Sequence, residues 1–346
     1  MRNFIYMGLM CAIFLVFSSA YGDEKPCEIK RPIVFGGLDW ESAQFHNAVA
    51  GYILEKGYHC KTDQIPGSST PILAGLIRGD IDVMLEVWVA NIPEAWEKAL
   101  KKGKVLQLGP NFEEAVQGFF VPRYLVEGDK KRGIEPLAPD LKSVTDLLKY
   151  KHLFKDPENP KKGLFHNCIF GWHCETVNNK KLAAYGLDKE FTNLKPGTGA
   201  ALDAAIASHY KKGKPFVTYY WSPTWIMGTF DLIQLKEPAF NQAKWDAFNN
   251  GDHAKVTEYP PTIVYKGLNA KFAKKAKRLT KFFENYKTST AITNEALAFL
   301  RKKRGLKSRD AAIYFLKNHK QVWQGWVPSE IVPKIELALK GEKNAI

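Results

Sequence analysis

The sequence predicts an α/β protein of two lobes joined by two crossovers, and three observations carry that prediction. Apolar strand-like runs alternate with amphipathic helical runs along most of the chain, the pattern of a sheet flanked by helices. The chain has 346 residues and 45% hydrophobic content, enough for about two domains with sizeable cores. A strand-like run near residue 259 leads back toward the first unit after a second unit has been laid down.

The N-terminus reads as a secretory signal peptide over residues 1–22. Arg2 supplies the positive region, and Phe4 through Phe17 form an apolar run too short for a comfortable membrane span. Ala20-Tyr21-Gly22 places small residues around a cleavage point after Gly22. Cys11 lies inside the apolar run, and neither it nor Cys27 follows a lipoprotein pattern. No other stretch is long and apolar enough to span a bilayer, so the mature chain is expected to be soluble and exported.

Lobe one is expected to open at residue 29. Residues 32–37 read as a strand, and 41–56 as a helix with Phe45, Val49, Tyr52 and Ile53 on one face. Residues 60–65 form a second strand, and 70–78 a helix that Ser68 or Ser69 can cap. Residues 81–87 are almost continuously apolar, as a buried parallel strand requires. A helix at 93–101 and a short strand at 105–108 complete the first part of lobe one, 29–115.

Lobe two is expected over residues 116–257, opening near Gly118-Phe119-Phe120-Val121-Pro122. It holds helices at 141–153, 177–187 and 200–211, and its clearest strand is 215–220. A return segment, 258–346, begins with a strand at 259–265 and continues in helices at 271–286, 294–303 and 311–323. The crossovers fall near residues 115 and 258.

The formal charge is +14. The lysines are scattered, as at Lys98, 101–104 and 271–277, mostly on helical patterns. A solvated surface accounts for them, and with no nucleic-acid motif present no nucleic-acid partner is expected. Past the signal peptide four cysteines remain: Cys27, Cys60, Cys168 and Cys174. An even count in an exported chain favours disulfides. Of the three pairings, Cys168–Cys174 with Cys27–Cys60 is expected, the first being local and the second joining the ends of an early βα unit. A zinc site from Cys168, Cys174, His166 and His173 competes less well, because the spacing is not that of a zinc finger.

Four tryptophans stand where strands or loops hand over to helices. Trp40 follows the first strand, Trp88 the third and Trp221 the strand at 215–220, while Trp172 sits between the two close cysteines. Ligands of open α/β sheets bind at the carboxyl ends of strands, so these rings converge on one mouth. Indole faces suit a quaternary ammonium, which has no N–H to donate and is held by ring quadrupoles. Sugars also stack on tryptophan, but the Asp, Asn and Arg ring they need is sparse here. Trp96, Trp225, Trp245, Trp323 and Trp326 are read as packing residues, with Trp225 a possible wall behind Trp221. His173, Cys174 and Glu175 open a helix whose first N–H groups favour a carboxylate. Asp39, Glu41 and Glu86 flank the lobe-one tryptophans. Each is as compatible with a solvated or capping role as with facing a cation.

These residues resemble the substrate-binding proteins of glycine betaine, proline betaine and choline ABC importers. The matching stretches are 39–45 (Asp-Trp-Glu-Ser-Ala-Gln-Phe), 79–88, Gly171-Trp172-His173-Cys174-Glu175 and Tyr219-Tyr220-Trp221-Ser222-Pro223. The resemblance implies the two-lobed periplasmic binding protein fold of type II, with two crossover hinge strands. It implies an ammonium box of Trp88, Trp172 and Trp221, with Trp40 and Phe119 added in choline-type members. It implies a ligand carboxylate on the N–H groups of His173 and Cys174. It further implies a monomer working in the periplasm with a membrane permease, on a zwitterionic or cationic osmolyte and without a cofactor. Asn91 and Ile92 stand where betaine-binding members place a histidine, and Ser42 stands where choline-type members carry an aspartate. Glycine betaine is the first ligand expected, with choline, trimethylamine N-oxide and dimethylsulfoniopropionate as alternatives.

Two other classes compete with this reading. A secreted hydrolase of choline-like esters would need His166, His173 or His209 as base, but the chain has no Gly-x-Ser-x-Gly elbow and no His-Glu-x-x-His. A sugar or peptide binder of the same architecture is compatible with the fold alone. The expectation is a binding protein and not an enzyme.

Overall fold

The computed structural model describes residues 26–342. The signal-peptide reading of residues 1–22 lies outside the described residues. Nine strands among the described residues form one sheet: β1 (Ile33–Leu38), β2 (Thr62–Gly67), β3 (Val83–Val87), β4 (Val105–Pro122), β5 (Gly163–His166), β6 (Phe191–Leu194), β7 (Val217–Ser222), β8 (Leu232–Gln234) and β9 (Thr262–Asn269). Their order is β2-β1-β3-β9-β4-β7-β5-β6, with β8 beside β4.

The path divides within β4. Its first part pairs antiparallel with β9, which in turn pairs with β3 beside parallel β1 and β2. Its second part pairs antiparallel with β7 and β8, and β7 continues through parallel β5 and β6. We call the two sheet halves, with their helices, lobe one and lobe two. Each has its own apolar core. Phe45, Ile53, Leu268 and Phe283 lie in lobe one, and Phe165, Tyr220 and Trp245 in lobe two.

β4 corrects the expectation of a short strand at 105–108 followed by a separate start at 118–122. Gly109-Pro110 is a break signal in sequence. The fold absorbs it at a run of register shifts between Gln107 and Ala115, where a proline without an N–H is tolerated. The helix expected at 141–153 is instead two short 3-10 turns, Val144–Leu148 and Lys151–Phe154. Asp146 accepts the backbone N–H groups of Ser143 and Lys142 at 2.8 and 3.1 Å, which favours a tight turn over a helix. The helix expected at 271–286 is broken at Ala276 into Ala270–Lys275 and Lys277–Asn285. The Glu28 carboxylate caps the second piece, accepting from the N–H groups of Arg278 and Leu279.

Cys27 is bonded to Cys60 and Cys168 to Cys174. The second bond consumes both thiols of the alternative zinc site. No helix among the described residues is long and apolar enough to cross a membrane.

Candidate functional site

The carboxyl ends of β1, β3 and β7 meet at the junction of the lobes. Trp40 is the N-cap of the helix Glu41–Gly57 and follows β1. Trp88 follows β3 directly. Trp221 lies in the last turn of pleat of β7. Trp172 is the N-cap of the helix His173–Ala184, and the Cys168–Cys174 bond closes the loop that carries it.

All four rings line one cleft, of about 510 Å³ counting its open mouth, together with Glu86, Tyr219, Asn91, Ile92, His173 and Cys174. Successive rings stand at right angles. Trp40 and Trp172 have centroids 5.5 Å apart at 80°, and Trp172 and Trp221 are 5.0 Å apart at 86°. Perpendicular neighbours turn a corner, so their faces enclose a space instead of stacking it shut. Trp88 is pinned by Phe112 at 6.3 Å and 71°. Tyr219 lies nearly parallel to Trp221 at 6.2 Å.

Glu86 is the charged group built into this box. It has no solvent exposure. Its Oε2 accepts from the Trp40 indole at 2.7 Å and the Trp88 indole at 3.1 Å, so one carboxyl oxygen orients two cage rings. Its Oε1 has no hydrogen-bond partner among the described residues. Burial pushes the Glu86 carboxyl up from its ordinary value, and the Trp40 indole, the Ser42 hydroxyl and the Trp88 indole oppose that shift. The solvated and capping roles weighed for Glu86 are both overturned. Its position on β3 was legible only as one residue in an apolar run.

A second cavity, about 1040 Å³ with its open mouth, shares Trp40, Trp172 and Trp221 with this cleft and is lined also by Asp39, Asp203, Trp225 and Arg301. Arg301 stacks on Trp225 at 4.3 Å and pairs with Glu41. Asp203 accepts from the Tyr220 hydroxyl at 2.5 Å and the Trp225 indole at 2.8 Å. Trp225 is therefore a wall residue with a hydrogen-bonded indole, behind Trp221.

His173 and Cys174 line the cleft at the helix start, where the first N–H groups have no partner within the helix. Burial lowers the His173 imidazole below its ordinary value, keeping the ring neutral. Phe119 is not brought to the cleft. It is fully buried in lobe two and packs on Phe165 at 4.7 Å. It pairs across the ladder with Tyr219, as Gln117 pairs with Trp221. Phe119 thus sits two residues too deep along β4, and Gln117 holds the position nearer the mouth, accepting from the Tyr219 hydroxyl at 2.8 Å. Tyr219 supplies the wall that Phe119 was expected to supply. The missed signal was strand period: Tyr219 and Trp221 are two apart and share a face. Asn91 and Ile92, singled out as departures from the betaine-binding pattern, do line the cleft.

Comparison with known proteins gives a consistent picture. Residues 31–318 match the family model described as the substrate binding domain of ABC-type glycine betaine transport systems. A trimethylamine N-oxide-binding protein of Pelagibacter ubique (strain HTCC1062) is 24% identical over 92% of this chain and 97% of its own. A glycine betaine/proline betaine-binding periplasmic protein of Escherichia coli (strain K12) is 25% identical over 73% of this chain and 76% of its own. The fold is shared with a choline-binding protein of an ABC transporter solved with choline. There the TM-score is 0.68 at 18% identity, over 89% of this chain and 98% of that one.

Proposed function

The chain belongs to the family of substrate-binding domains of ABC-type glycine betaine transport systems, and we propose that it captures a small solute bearing a trimethylated ammonium group and passes it to a membrane permease. The observation that carries this reading is the box of Trp40, Trp88, Trp172 and Trp221 around a buried carboxyl. A quaternary ammonium is weakly hydrated and has nothing to donate, so it loses little on leaving water. Each ring face contributes about 0.5–2 kcal/mol to holding it. No bond is made or broken.

Glycine betaine is the first ligand in this reading. Its ammonium fills the box, and its carboxylate meets the N–H groups of His173 and Cys174 at the helix start. The lobes are 29–115 with 258–346, and 116–257, hinged near residues 115 and 258. Closing them brings Trp172 and Trp221 against Trp40 and Trp88, so ligand binding favours the closed form. The protein works as a monomer in the periplasm after export by its signal peptide.

One observation favours a second ligand, trimethylamine N-oxide. Glu86 Oε1 is buried and unpartnered at a cage wall. A Glu86 kept neutral by burial would put no second negative charge against the N-oxide oxygen, and the Pelagibacter relative named for that solute spans nearly the whole chain. Titration calorimetry against glycine betaine, choline, carnitine, trimethylamine N-oxide and dimethylsulfoniopropionate tests the reading. Heat from a methylated ammonium and none from sugars or peptides is expected; the reverse pattern overturns it.

A further inference from the structure

Behind the cage two buried polar atoms face each other without a partner. Glu86 Oε1 and His46 Nε2 are 3.7 Å apart. Both residues have no solvent exposure, and neither atom has a hydrogen bond among the described residues. The other carboxyl oxygen is already taken by the two cage indoles. The other ring nitrogen, His46 Nδ1, lies 2.9 Å from the Tyr286 hydroxyl. The imidazole is stacked on Phe112 at 5.7 Å and 25°, and Tyr286 meets it edge-on at 5.9 Å. The ring is therefore clamped with one nitrogen toward the cage carboxyl and the other toward a phenol.

Burial, helped by the charge of Lys266, brings the His46 imidazole down to about 3, so it is neutral at ordinary pH. Lys266 acts on His46 from β9, its amine brought down to about 7 by burial and held by the carbonyls of Pro110, Glu284 and Tyr286. Glu86 from β3 and Tyr286 are the titratable groups set against the two ring nitrogens. A neutral imidazole carries one N–H and one bare nitrogen, and a phenol both donates and accepts. Two arrangements then satisfy the triad. With Glu86 neutral, its O–H points at bare Nε2 and Nδ1–H donates to the Tyr286 oxygen. With Glu86 ionised, Nε2–H points at Oε1 and the Tyr286 hydroxyl donates to Nδ1. The first arrangement holds three exchangeable protons and the second two; the third goes to solvent.

We propose that His46, with its tautomer set by Tyr286, is a positioning residue that lets the Glu86 carboxyl be either ionised or neutral, and so matches the site to the charge of the ligand's head. The proposal rests on the reading that the box holds a methylated ammonium. A permanent cation draws out the carboxylate. A neutral N-oxide leaves the carboxyl protonated, its O–H on His46 Nε2.

Tetramethylammonium and trimethylamine N-oxide test this, because they differ by a methyl in place of an oxygen and one is a permanent cation. Calorimetry of the full chain at pH 7, in two buffers of different ionisation heat, reads protons released per ligand bound. Tetramethylammonium should release more protons per ligand bound than the N-oxide. In His46→Phe, tetramethylammonium should bind about tenfold more weakly with its proton release lost, while the N-oxide stays within about threefold. Tyr286→Phe keeps the imidazole and should move both readings the same way, by about threefold in affinity. It serves also if His46→Phe does not fold. Equal proton release for the two probes, or parallel weakening of both in the variants, overturns the relay. Failure of the unaltered chain to bind either probe overturns the cage reading beneath it.

Discussion

The Trp172 indole N–H donates to an Asp39 carboxylate oxygen at 2.6 Å, joining a cage ring of lobe two to the rim of lobe one. Asp39 follows β1, and Trp172 caps a helix of the other lobe. The backbone N–H of Thr224 also reaches across, to the Asn294 side chain at 2.8 Å. The ring that turns the corner of the box is thus held by lobe one as well as by Trp221 of its own lobe.

Removing that acceptor should weaken ligand binding without unfolding the chain. Hydrogen bonds to charged groups contribute about 1.5–3 kcal/mol, less at an exposed rim. Asp39→Ala is expected to cost about 1 kcal/mol, roughly a fivefold rise in Kd by calorimetry. An unchanged Kd would show that the bond does not hold the closed form.

Trp172→Ala removes the ring itself and should do more. The expected loss is about 1–3 kcal/mol of affinity. Circular dichroism should show intact secondary structure. Unchanged affinity would return Trp172 to a packing role.

The two disulfides should separate in their effects. Cys27–Cys60 ties residues 33 apart in sequence at the edge of lobe one. Closing such a loop stabilises by roughly 3–4 kcal/mol on the chain-entropy account. Cys27→Ala with Cys60→Ala should lower the denaturation midpoint and leave Kd nearly unchanged. Cys168→Ala with Cys174→Ala loosens the loop that presents Trp172, so it should raise Kd as well.

Acid should destabilise the fold through its buried histidines. Burial lowers His46 to about 3 and His166 to about 4, against 6.5 unfolded. Between those limits the unfolded chain binds more protons, so stability falls as pH drops below 6.5. Near pH 5 the two histidines together give a slope of about 2.7 kcal/mol per pH unit. Glu86, raised by burial, acts in the opposite direction. His166→Gln should flatten the measured dependence by about 1.4 kcal/mol per unit. An unaltered slope would contradict the buried, neutral assignment.

The frame of the molecule was written in periodic, local signals. The helix Pro93–Lys101 falls where its proline and periodicity place it, and β1, β3 and β7 fall within a few residues of their apolar runs. What stayed hidden depends on partners distant in sequence. β5 and β6 are four residues each and become strands through parallel pairing. The helix Val332–Gly341 finds its apolar face only by packing where Gly57 leaves room for Ile331 and Ile335. The tryptophans announced a site because three strand-end indoles and one in a stapled loop form an unusual pattern. Glu86 announced nothing, because a single acid inside an apolar strand carries no period. His46 was one more residue of an amphipathic helix until Tyr286, 240 residues away, came to lie beside it.

The central claim is that ring faces hold a positive charge. Glycine betaine has a carbon isostere, 3,3-dimethylbutanoate, with the same shape and carboxylate but no cationic centre. Competitive calorimetry of the two on the full chain measures the charge contribution alone. With three or four rings at about 0.5–2 kcal/mol each, the isostere should bind at least about tenfold more weakly. Equal affinity for the two would contradict the account, because the box would then be recognising shape and not charge.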